Sequence, residues 1–89
     1  MGNNETLKTQ IKQATINWVQ QEFRSQEVIL GLVEPDEDEP ERWLVDFAIP
    51  TIPYWQVAEV WIEDDQIVNI TDLGEGVPPE GMDWPWSAN

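Results

Sequence analysis

The sequence predicts a two-layer α+β fold, with an N-terminal helix packed on a four-stranded antiparallel meander. Three observations carry this reading. Apolar residues recur at helical spacing near the N-terminus. Four later segments carry short apolar or alternating runs. The connections between those segments are short, and sequential strands usually pair as antiparallel neighbours. The chain has 89 residues, the size of one domain. Its organisation reads as a flexible N-terminus over 1–3, an α+β domain over 4–73 and a Gly/Pro/Trp-rich tail over 74–89.

The helix spans Asn4 to Arg24. Asn3 or Asn4 supplies its cap, and Glu5 suits the positive end of the helix dipole. Leu7, Ile11, Ala14 and Trp18 form one apolar stripe, and Ile16, Val19 and Phe23 a second. Either both pack on the sheet, or one meets another chain. Glu27 to Val33 is a strand with apolar residues on both faces, which suits a central position. Gly31 marks a bulge or close packing under the helix. Pro35 to Pro40 is a proline-bounded acidic loop. Arg42 to Ile49 alternates, with Trp43, Val45, Phe47 and Ile49 on one face. Pro50 to Pro53 is an extended connection.

Trp55 to Glu63 is the third strand. Ala58, Val60 and Ile62 form its apolar face, and Val57, Glu59 and Trp61 a wetter one. Asp64-Asp65 turns the chain without the preferred glycine, as a type I turn with a bulge. Ile67 to Thr71 is the fourth strand. From Gly74 onward, glycines and prolines preclude regular structure. In element order, residues 4–72 resemble the cystatin-like and PepSY-type arrangement of one helix against a curled sheet. That resemblance implies a fold outline and, with no motif residue shared, no function.

Charge and composition exclude much. Four Lys and Arg stand against 18 Asp and Glu, a formal net charge of −14, with no His and no Cys. There is no disulfide, no Cys nucleophile, no His general base, and no zinc or haem site of the usual kind. Phosphates of nucleic acid and anionic lipid repel such a protein. No signal peptide or membrane-spanning run is evident, and the chain reads as cytoplasmic. Met1-Gly2 with Thr6 matches a loose myristoylation pattern, but no second membrane signal accompanies it.

Glu34, Asp36, Glu37, Asp38, Glu39 and Glu41 put six carboxylates within eight residues. A calcium loop would need a glycine at its sixth position and a glutamate at its twelfth, and neither is in register. The loop therefore reads as a solvated surface or a negative docking patch for a basic partner. Asp46, Glu59, Glu63, Asp64, Asp65 and Asp72 lie on or beside strands, but a chain this short has little room for an enclosed glycosidase cleft. Ser25 and Ser87 have no His partner. Gly74-Glu75-Gly76 precedes prolines and not a helix, unlike a phosphate loop. No catalytic residue, cofactor or metal is assigned, and the protein reads as a non-enzyme.

The six Trp carry the remaining signal. Trp18 and Trp43 belong with Phe47 to the core. Trp55 and Trp61 share a face of the third strand that meets either a partner or an intramolecular cover. Trp84 and Trp86 flank Pro85 in a tail that either folds back on the sheet or docks in a groove of another protein. The resulting expectation is an adaptor, assembly factor or regulatory inhibitor of a larger protein with a basic or groove-like surface. It binds through Asp36, Glu37, Asp38, Glu39, Trp55, Trp61, Trp84 and Trp86, with no direct nucleic acid and no membrane. The alternatives are a self-associating homodimer, or a small-ligand binder with a pocket between helix and sheet.

Overall fold

A computed structural model describes residues 3–86 of the chain, with side chains from Glu5 onward. The capping side chain of Asn3 or Asn4, the Met1-Gly2 pattern and Ser87 lie outside the described residues. The elements follow as α1 (Asn3–Glu22), β1 (Ile29–Pro35), β2 (Arg42–Ala48), β3 (Gln56–Glu63) and β4 (Gln66–Glu75). The strands form one antiparallel sheet in the order β1-β2-β3-β4. This is the α+β arrangement of one helix on a four-stranded open sheet. No helix among the described residues is long and apolar enough to cross a membrane.

Helix α1 ends two residues before Arg24, because Arg24 takes a left-handed φ of 52° and reverses the chain after the last turn. Residues of both apolar stripes pack on the sheet as one broad surface. Ile11, Thr15 and Val19 run down its centre and are fully buried. Leu7, Trp18 and Phe23 are half-buried and pack against the core. Ile11 sits over Val33, Trp43, Val45, Val60 and Ile62. Val19 sits over Phe47, Ile49 and Ala58. Trp18 meets Phe47 edge to face at 6.2 Å and Phe23 at 6.0 Å. Trp43 and Phe47 are core residues, and Trp18 flanks them.

Strand β1 is an edge strand and not a central one. It starts at Ile29 and runs through Pro35, which an edge tolerates because it can leave Pro without a ladder bond. Its two-faced apolar character has another cause. Gly31 and Leu32 form a bulge opposite Asp46, so Leu30 and Val33, three residues apart, both reach the core side. Close packing at Gly31 comes from the tail, described below, and not from the helix.

The β3–β4 hairpin also differs from the expected type I turn. Glu63 pairs with Gln66, and Asp64 and Asp65 take φ of 52° and 61°, which makes a two-residue type I′ turn. The bulges lie inside β4 instead, where Val68 and Leu73 are extra residues against β3. The first lets Ile67 and Ile70, again three residues apart, both pack inward. Gly74, with φ of 92°, follows the second, so the strand continues through Glu75 past the expected stop at Thr71.

Thr15 is fully buried between helix and sheet, and its hydroxyl has no hydrogen-bond partner. An unpaired buried hydroxyl costs about 1–3 kcal/mol. Thr15→Val keeps the shape and removes that cost. Urea unfolding is expected to show a gain of about 1 kcal/mol or more; a loss of stability would contradict this packing.

Candidate functional site

The acidic loop closes on its own backbone. Asp36 N–H donates to the Arg42 carbonyl at 2.8 Å, and Arg42 N–H to the Glu39 carbonyl at 2.9 Å. The Asp36 side chain accepts from the Asp38 amide at 2.9 Å. Ile62 N–H donates to the Glu41 carbonyl at 2.7 Å and ties the loop to β3.

Arg42, at the start of β2, then clamps two carboxylates. Its Nη1 lies 3.0 Å from Glu59 Oε2, and its Nε lies 3.0 Å from Asp36 Oδ2. The Nε–H is not aimed at an acceptor, so the Asp36 contact is an ion pair without hydrogen-bond alignment. The other Glu59 oxygen accepts from Trp61 Nε1 at 2.8 Å. The register explains the cluster, since Arg42 faces Trp61 and Leu44 faces Glu59 across the β2–β3 ladder. Partial burial makes these pairs less screened than free surface pairs, which contribute only about 0–1 kcal/mol each. Glu37, Asp38 and Glu39 remain exposed.

Beside the loop, at the N-terminal end of α1, lies a cavity of about 410 Å³. Leu7, Trp43 and Ile62 give it an apolar lining, with Pro35 and Pro40 at the loop side. Glu41, Asp64 and Asp65 line it with carboxylates, and among the described residues no cationic side chain lines it. Among the described residues, no three acidic side chains converge to hold a metal ion. The cavity lies between helix and sheet, where the small-ligand alternative put a pocket, but its lining residues Trp43 and Ile62 read from the sequence as core and Asp64-Asp65 as a turn. A signal was present. Asp65 occupies the second turn position, where Gly is usual, and with Asp64 it places two charges beside the loop.

The other predicted residues lie elsewhere. Trp55 is buried, at 3 % exposure. Trp84 meets it edge to face at 6.0 Å. The tail leaves β4 with the Gly76 amide donating to the Trp55 carbonyl at 2.8 Å, and Pro79 is buried against β1. Trp84 and Trp86 are half-buried. Trp61 sits six residues along the chain from Trp55, roughly 20 Å at strand rise. The structure therefore brings Trp61 near Asp36 through Arg42 and Glu59, and Trp55 to Trp84. It does not merge these into one surface.

A Cβ at Gly31 would come within 2.7 Å of Pro79 Cγ and 3.1 Å of both Trp55 and Asp46. Gly31→Ala is thus expected to lift the tail from the sheet. Tryptophan fluorescence should show greater solvent exposure of Trp55 and Trp84, with the far-UV spectrum retained. Unchanged emission would contradict the tail contact.

Asp46 lies on this outer face, half-buried, in a hollow shared with Leu32, Val57, Val77, Pro79 and Glu80. Burial pushes its carboxyl above the ordinary value of 3.8, the Glu34 charge adds to this, and the Leu32 amide opposes it. Between 3.8 and the raised value the folded state holds more protons than the unfolded state, so this group stabilises the fold as pH falls through that window. Ionised Asp46 costs stability above it. Asp46→Asn is expected to raise the urea midpoint at pH 7, with the advantage over the parent shrinking toward zero as pH falls through the window. A constant difference across pH would contradict the assignment.

Compared with known proteins, the chain matches no family model, no curated protein and no solved structure.

Proposed function

We propose that this chain is a small acidic interaction module that acts by binding and not by catalysis. It serves as an adaptor, assembly factor or regulatory inhibitor of a larger cytoplasmic protein with a basic surface. The helix-on-sheet scaffold, cystatin- or PepSY-like in outline, presents the binding end. One observation carries the reading. The ends of the acidic loop, at Pro35, Pro40 and Glu41, and the Asp64-Asp65 hairpin flank a cavity lined by both apolar and carboxylate side chains, and Arg42 ties the loop to the sheet beside it.

The physical logic is steering plus anchoring. A net charge of −14 attracts a basic surface over about 8–10 Å at physiological ionic strength. Complementary charge accelerates encounter and rejects acidic partners. The exposed carboxylates of Glu37, Asp38 and Glu39 supply the steering charge, and half-buried Trp61 lies behind them. The Trp84–Trp86 tail, packed on Trp55, adds aromatic surface at the far end.

Affinity capture from native lysate with the parent and a Glu37→Lys/Glu39→Lys variant tests this. The variant reverses charge at two exposed positions that make no core contact, so the fold is retained. The parent is expected to retain a basic protein at about 150 mM salt, with capture falling as salt rises and at least tenfold lower on the variant. Equal capture by both proteins would contradict the proposal.

A further inference from the structure

We infer that the cavity between the acidic loop and the β3–β4 hairpin receives a single arginine side chain from a protein partner. This rests on the acidic-module reading above and specifies what enters it. The volume of about 410 Å³ lies in the range of sites that enclose a small ligand, about 300–1,000 Å³. It therefore holds one long side chain and not a folded element.

The chemistry of the walls selects the occupant. Leu7, Trp43 and Ile62 offer apolar contact to a hydrocarbon stem, while Glu41, Asp64 and Asp65 offer carboxylate oxygens to its head. A side chain that is apolar along its length and cationic at its tip matches both. An acidic or neutral polar side chain would leave one set of walls unmatched. The carboxylates line the cavity without converging into a metal-holding group. A spread of acceptors suits a planar guanidinium with five donors better than a compact ammonium, and a guanidinium is also easier to desolvate.

Asp64 and Asp65 both hold a left-handed φ, a conformation open to asparagine as well as aspartate. Asp64→Asn/Asp65→Asn therefore removes two charges at the cavity and suits the turn.

The probe is the blocked tripeptide acetyl-Gly-Arg-Gly-amide, followed by amide and indole NMR shifts of the full chain. The neutral citrulline analogue, of nearly the same shape, is the control. Saturable shifts are expected at the Leu7, Ile62, Asp64 and Asp65 amides and at the Trp43 indole. The citrulline peptide and the double variant should each bind at least about tenfold more weakly, as loss of charge-assisted hydrogen bonds requires. Equal binding of the citrulline peptide, an unaffected double variant, or non-saturating shifts confined to Glu37–Glu39 would each overturn the arginine site. Should those results appear while Glu37→Lys/Glu39→Lys still abolishes partner capture, the cavity assignment falls and the acidic module stands. Should the peptide bind as expected while partner capture ignores the loop, the site stands and the loop is not the docking surface.

Discussion

Eighteen carboxylates share four cationic side chains in this chain, and Arg42 makes both ion pairs found among the described residues. The geometry of the acidic end depends on that one guanidinium. Six carboxylates within the eight residues from Glu34 to Glu41 repel one another and favour an expanded loop. Arg42 draws Asp36 inward and holds Glu59, and Glu59 in turn holds the Trp61 indole. The remaining charges stay in solvent, on a loop whose ends are hydrogen-bonded to β2 and β3. The ends of the loop, Pro35, Pro40 and Glu41, thereby form one wall of the cavity.

The same economy appears in how the sheet is covered. A chain this small has little core to spend, and stability near 5 kcal/mol is typical. Helix α1 covers the inner face with the Ile11–Thr15–Val19 row. The tail covers one end of the outer face, where Pro79 rests on Gly31 and Trp84 on Trp55. Both edge strands are bulged, which breaks the flat ladder that would otherwise template pairing with another chain. Two of the bulges have a second effect, since the one in β1 brings Leu30 and Val33 inward and the first in β4 brings Ile67 and Ile70 inward.

Those spacings show where the sequence was legible and where it was not. Strands β2 and β3 alternate cleanly, and their inner faces were readable from Trp43, Val45 and Phe47 and from Ala58, Val60 and Ile62. The helix was readable too, though Thr15 at its centre broke the apolar rows and split one face into two. Strand β1 misled because Leu30 and Val33 lie three apart. Simple alternation puts them on opposite faces and makes the strand look central. Strand β4 hid its length for a related reason. Ile67 and Ile70 are out of phase until Val68 is bulged, and Gly74 reads as a breaker although its φ of 92° is what lets the strand continue. The acidic loop was visible as composition. The residues lining the cavity beside it were not, because they come from α1, β2, β3 and the hairpin, and only the register brings Glu41 to Ile62. The burial of Trp55 depended on the tail, whose position no periodicity encodes.

Arg42 assembles the acidic end. Amide hydrogen exchange on the parent and Arg42→Gln measures this directly. Loss of the clamp is expected to speed exchange at the Asp36, Arg42 and Ile62 amides by at least tenfold, while Val45 and Val60 in the core keep their protection. Unchanged protection at the loop amides would show that the loop holds its shape without Arg42. A uniform loss across the sheet would show that Arg42 supports the whole fold and not this end of it.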